Sequence, residues 1–108
     1  MYKLHFLVPE VHAESVKAAC FKAGAGKIGH YQKCAWQILG TGQYEPIKGS
    51  NPYQGTVGKL ETAREYMIEM VIEDNLVKPV VQALLEAHPY ETPVYGVWKI
   101  LTIDDLTD

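Results

Sequence analysis

Two stretches of helical hydrophobic spacing, each entered from and left into stretches of alternation, constrain this chain more than any single motif does. Residues Tyr2 to Val8 alternate, with Tyr2, Leu4, Phe6 and Val8 on one face and Lys3, His5 and Leu7 on the other, and Pro9 ends the run. From His12 to Ala23 the period changes. Val16, Ala19, Cys20 and Ala23 share one side of a helix, and small residues there let it lie close to the strands beneath. A second strand is expected from Tyr31 to Leu39, with Gly40 and Gly42 breaking it or introducing a bulge. The third, Ala63 to Glu73, sets Tyr66, Ile68, Met70 and Ile72 opposite Glu65, Met67, Glu69, Val71 and Glu73, so one of its faces reads as charged and solvated. Val77, Val80, Val81, Leu84 and Leu85 return to helical spacing. Pro79 fits the first turn, where its missing N–H costs little, and His88-Pro89 closes the helix. A last strand is expected from Thr92 to Leu101.

The order strand, helix, strand, strand, helix, strand is the ferredoxin-like α+β arrangement, two right-handed crossovers on an antiparallel sheet with both helices on one face. A length of 108 residues allows one domain with one core, spanning residues 1–108. The other sheet face carries His5, Met67, Val71 and the glutamates of the third strand, and no helix remains to cover it. Association with further copies is the expected cover, because an open apolar patch is otherwise sticky.

A formal charge of −3 with no basic stripe argues against nucleic acid. No apolar run approaches the roughly 20 residues that span a bilayer, and no signal-peptide pattern opens the chain, so no membrane partner is expected and a cytoplasmic location is. There Cys20 and Cys34 stay thiols and act as small apolar side chains.

Gly24, Gly26 and Gly29 in GAGKIGHYQKC spell GxGxxG, yet a dinucleotide fingerprint must follow a strand and open a helix, and here the order is helix, glycines, strand. A helix cap and tight turn explain the first glycine; three exceed what capping needs and leave the backbone free to pass close to something. Lys27 adds a cation where exposed N–H groups could hold a phosphate or carboxylate, although a lone loop lysine is usually just solvated. His88, Pro89, Tyr90 and Glu91 place an imidazole and a carboxylate together at a helix-to-strand turn, able to hold a divalent metal ion or a polar ligand; a helix-ending histidine and proline are the plainer explanation. His30 and Cys34 would stand too far apart along a strand to share a metal, and His5 and His12 read as surface residues. No serine stands in a nucleophile-like context and neither CxxC nor HExxH occurs, so nothing in the residues argues for catalysis. Residues 41–62, rich in glycine and proline, read as a long, partly ordered hairpin through which a small molecule or a protein partner is contacted.

The run GAGKIGHYQKCAWQILGTGQYEPIKGSNPYQGTVGKLE followed by AHPYETPVY is similar to the domain inserted in bacterial NIF3-like proteins of the YqfO type, here as a chain by itself. That resemblance covers nearly the whole chain. It implies a PII-like, CutA-like fold and a trimer of ferredoxin-like subunits, with a ligand cleft between subunits beside the long loop as in PII proteins, or divalent-metal binding of the CutA kind. The two-metal site of full NIF3-like proteins is built from residues of the flanking domain, so hydrolase activity is not implied for these 108 residues. The expectation is a non-enzymatic regulatory or small-ligand-binding module. Its ligand residues are expected to be Gly24, Gly26, Lys27, Gly29, His88, Tyr90 and Glu91, joined as one site because the ends of both helices are expected at the same edge of the sheet, with His88 and Glu91 as the metal donors.

Overall fold

A computed structural model describes residues 1–108. The strands are β1 (Tyr2–Pro9), β2 (Trp36–Tyr44), β3 (Glu61–Ile72) and β4 (Tyr95–Lys99), and the helices are α1 (Ala13–Lys22) and α2 (Val77–Ala87), each helix entered through a short 3₁₀ turn. All strand pairs are antiparallel, in the spatial order β2-β3-β1-β4. This is the ferredoxin-like α+β fold that the alternating periods predict.

The core lies between the sheet and the helices. Leu4, Phe6, Val8, Ile68, Met70 and Ile72 point to the helices and meet Val16, Cys20, Val80 and Leu84, all buried. Burial pushes the Cys20 thiol up to about 12, so it is an apolar filler, as read from its place on the helix. Pro79 occupies the third position of α2, where no intrahelical N–H bond is lost.

The opposite face has no helix over it. Three rows of neighbouring residues cross it: Trp36, Glu69, His5 and Gly96; Ile38, Met67 and Leu7; and Val71, Lys3 and Trp98. Trp36 and Ile38 are each more than half exposed, and Trp98 is 43% exposed. Only a Lys3–Glu69 pair at 3.8 Å and the tilted His5–Trp98 ring contact break up this apolar surface.

Two expectations about β2 need correction. The strand begins at Trp36, five residues later than Tyr31, because Ile28 and Tyr31 exchange backbone hydrogen bonds in a small exposed hairpin and Lys33 takes a left-handed φ of 58° that no strand continues through. Gly40 and Gly42 neither break nor bulge the strand. The register with β3 runs on without a slip to Tyr44 and Glu61, so the long hairpin is a two-stranded arm closed by residues 45–60.

Candidate functional site

The glycine segment is a structural joint. Ala25 N–H reaches Cys20 O and Gly24 N–H reaches Phe21 O, the paired bonds of a Schellman cap, with Gly24 at φ 116° and Ala25 and Cys20 both buried. Gly26 then docks on the sheet: its N–H donates to Val71 O at 2.8 Å, and its carbonyl accepts from Cys34 N–H at 2.9 Å. Gly29 starts the exposed turn between Ile28 and Tyr31, and Lys27 is exposed beside it. The close approach expected of these glycines is made by Gly26 to the chain's own backbone and by Gly24 to the Leu76 side chain, and by Gly29 to nothing.

The second motif sits at the other end of the sheet. Gly26 bonds Val71, which pairs with Lys3, whereas His88 bonds Leu7, four residues further along β1 and roughly 14 Å away at strand spacing. The expectation that both helix ends share one edge fails for a topological reason. β1 and β3 are antiparallel, so the helix that follows each runs opposite to the other, and their last turns lie at opposite poles.

Around the second motif the chain builds a continuous hydrogen-bonded net. Pro89 holds His88 in extended backbone, φ −73° and ψ 134°, and aims its ring under the sheet edge. His88 Nε2–H donates to Leu7 O at 2.7 Å while Nδ1 accepts Tyr90 N–H at 3.1 Å, which fixes the neutral tautomer. The Tyr90 hydroxyl donates to Glu65 Oε2 at 2.7 Å. Burial, followed by that bond and the Glu65 charge, raises the Tyr90 hydroxyl well above its usual range, so it remains a donor. Glu91 Oε1 accepts the Asn51 N–H at 2.9 Å and so pins the arm's loop to the turn after α2. Its partner is thus the hairpin loop and not the glycine turn.

The loop is held at two further points. Tyr44 donates to Gln54 O at 2.6 Å, and His12 Nε2 meets the Tyr53 hydroxyl at 2.7 Å. Folded back in this way, the loop closes a cleft of about 270 Å³ over the pole of the sheet. Tyr44, Tyr53 and Tyr90 wall it, with ring centroids 5.8 Å apart for Tyr44–Tyr90 and 6.2 Å for Tyr53–Tyr90. Glu65 forms its floor and is only 8% exposed. The alternation of β3 put this carboxylate on a solvated face; the loop that buries it carries no period from which its return over the sheet could be read.

Of the expected ligand residues, Tyr90 and Glu91 line the cleft, His88 braces it from behind, and Gly24, Gly26, Lys27 and Gly29 stand at the opposite pole. Both His88 nitrogens are engaged and Glu91 is turned to Asn51, so the two do not converge as metal donors. No group of three His, Cys, Asp or Glu side chains is arranged to hold a metal ion. Tyr44 and Tyr53 fall within residues 41–62, expected from the sequence to contact a small molecule or a protein partner, whereas Glu65 was not singled out.

The chain is similar in sequence and fold to known proteins. A "GTP cyclohydrolase 1 type 2 homolog" of Halalkalibacterium halodurans is 39% identical over 100 residues, 93% of this chain and 27% of that protein. A solved Bacillus cereus protein related to NIF3 superposes with a TM-score of 0.76 at 39% identity, over 90% of this chain and 24% of that one. This chain matches one segment of the NIF3-related proteins. It spans about a quarter of the length of the curated relatives it matches. This chain also shares its fold with the PII-like protein CutA from Nostoc, TM-score 0.65 at 18% identity, covering 93% of this chain and 81% of that one. No protein-family model matches it. No helix of this chain is long and apolar enough to cross a membrane.

His88 makes this hydrogen-bonded net sensitive to acid. Burial, opposed by the Leu7 carbonyl and the Glu65 charge, lowers its folded value below the usual 6.5. The unfolded chain then binds a proton at a pH where the folded chain does not, so stability falls as pH drops from about 6.5 towards the folded value and is fully present above it. Urea unfolding measured from pH 8 to pH 5 is expected to show this loss, with a slope no steeper than one proton. The His88→Gln variant, which keeps a donor for Leu7, is expected to be less stable at pH 8 and to lack that slope.

Proposed function

We propose that this chain is a non-catalytic, small-ligand-binding module that works as a homo-oligomer, with the cleft under the arm's loop as its ligand site. One observation carries the reading. The loop is tied down over a concave space of about 270 Å³ by side chains that reach it from three separate elements, and a buried carboxylate faces that space. The apolar rows on the helix-free face support association, and the trimer follows the resemblance to CutA and PII proteins. The chain spans only about a quarter of the longer relatives, so their hydrolase name is not carried over. A divalent-metal site of the CutA kind at His88 and Glu91 would have to break a His88 hydrogen bond, which makes it the weaker reading.

Native mass spectrometry of the purified protein tests both halves together. A trimer carrying one small-molecule mass per chain is expected, and Val94→Trp, which fills the cleft wall, is expected to lose that mass and keep the stoichiometry. A bare monomer would overturn the proposal.

A further inference from the structure

The cleft carries enough chemistry to name the class of its ligand, an inference that rests on its being a ligand site. Glu65 is more than nine-tenths buried, yet it has no ion-pair partner and receives one hydrogen bond, from Tyr90 to Oε2. No donor of the chain is directed at Oε1, which lies against Gly42, and both residues line the cleft. A carboxylate accepts about four hydrogen bonds, and no fully buried side-chain oxygen of the chain lacks a partner, so Oε1 keeps accessible surface at which a donor from outside the chain can bond it. Glu91 also lines the cleft with one oxygen uncommitted, and none of the 14 lining residues is Lys, Arg or His.

The walls are of the matching kind. Tyr44, Tyr53 and Tyr90 surround the space with rings inclined to one another by 64° and 55°, the disposition of a box rather than a stack. Ring faces attract cations, and more strongly where water is excluded. Leu7, Pro46, Pro52 and Val94 supply an apolar flank that an alkyl chain would fill. The volume of about 270 Å³ lies below the roughly 300–1,000 Å³ of drug-sized sites, so the ligand is small.

We infer that the cleft binds a small organic cation bearing N–H groups on a short alkyl chain, an alkylguanidinium or primary alkylammonium, with Glu65 Oε1 as its hydrogen-bond acceptor and the three tyrosines around its charge. A quaternary ammonium would satisfy the rings but leave Oε1 without a donor. Bidentate donation to a carboxylate favours the guanidinium of the two.

The test is calorimetric titration of the full chain with n-butylguanidinium, its neutral isostere n-butylurea, and pentanoate, alongside amide spectra of the ¹⁵N-labelled protein. Butylguanidinium is expected to bind at least tenfold more tightly than butylurea and to move the amide signals of Gly42, Gln43 and Val94. Glu65→Gln, which keeps the shape and an acceptor for Tyr90, is expected to abolish that tenfold preference. Because the guanidinium-to-urea ratio is read on the unaltered protein, the inference is tested even if the variant folds poorly. Equal binding of the two with the same amides moved would overturn the cation assignment and leave the ligand site standing. Tighter pentanoate binding would overturn it as well, and no response to any of the three probes would overturn both the cation and this cleft as its site.

Discussion

Gly26→Val is expected to lower the stability of the fold by about 3 kcal/mol, the sum of a left-handed backbone forced on a branched residue and a clash that backbone cannot relieve. Gly26 stands at φ 78°, and a Cβ there would lie 2.8 Å from Phe21 Cε1 and 2.9 Å from the Cys34 carbonyl oxygen. The ring could turn a little; the carbonyl cannot, because Gly26 and Cys34 are themselves hydrogen-bonded. Gly29→Ala is the internal control, since a Cβ at that position meets nothing within 4 Å, and it is expected to cost only about 1 kcal/mol. Chemical denaturation with both variants checks this, the midpoint moving and its steepness staying. Equal losses would mean that backbone conformation alone, without the close approach, sets the requirement for glycine.

If the chain forms the homo-oligomer proposed above, Met67→Lys is expected to turn it into folded monomers. Met67 is the middle residue of the row Ile38, Met67 and Leu7 on the face that no helix covers. In an assembly through this face, an ammonium at its centre would lie in apolar surroundings without a partner, at a cost of several kcal/mol. In the monomer the same ammonium would stand in water on the helix-free face near Glu69, a neighbour of opposite charge, so the fold should survive. Light scattering at micromolar concentration reads the mass and far-ultraviolet circular dichroism reads the fold. An unchanged mass would place the contact between copies elsewhere on the molecule.

The fold was legible because burial on one side writes itself into spacing. Leu4, Phe6 and Val8 alternate, Val80 and Leu84 stand four apart, and both patterns end on prolines and glycines whose backbone roles are local. The start of β2 was not legible, since Tyr31 to Ile38 alternates on paper whether or not Lys33 adopts a left-handed turn. The relative placing of the two motifs follows from strand direction, and strand direction in an antiparallel sheet reverses the second helix; reasoning from each helix and its own strand misses that. For the cleft, Tyr90 and Glu91 could be singled out by their neighbours in sequence. Tyr44 and Tyr53 belong to the hairpin expected to contact a ligand, but their meeting with Glu65 could not be read, because what brings them together is a loop folding back across the sheet, held by single hydrogen bonds between residues as distant as Asn51 and Glu91.

One detail of the cleft floor ties two positions into a single unit of variation. A Cβ on Gly42 would fall 1.8 Å from Glu65 Oε1, so the carboxylate occupies the volume that any other residue at 42 would need. Alanine there would push the end of Glu65 aside and off the Tyr90 hydroxyl, and the loss from changing both residues would not be the sum of the separate losses. Among related chains, a side chain at the position of Gly42 should therefore arrive together with a shortened one at the position of Glu65. Such a paired exchange would mark a branch that has given up the acidic floor and, with it, the preference for whatever that floor recognises.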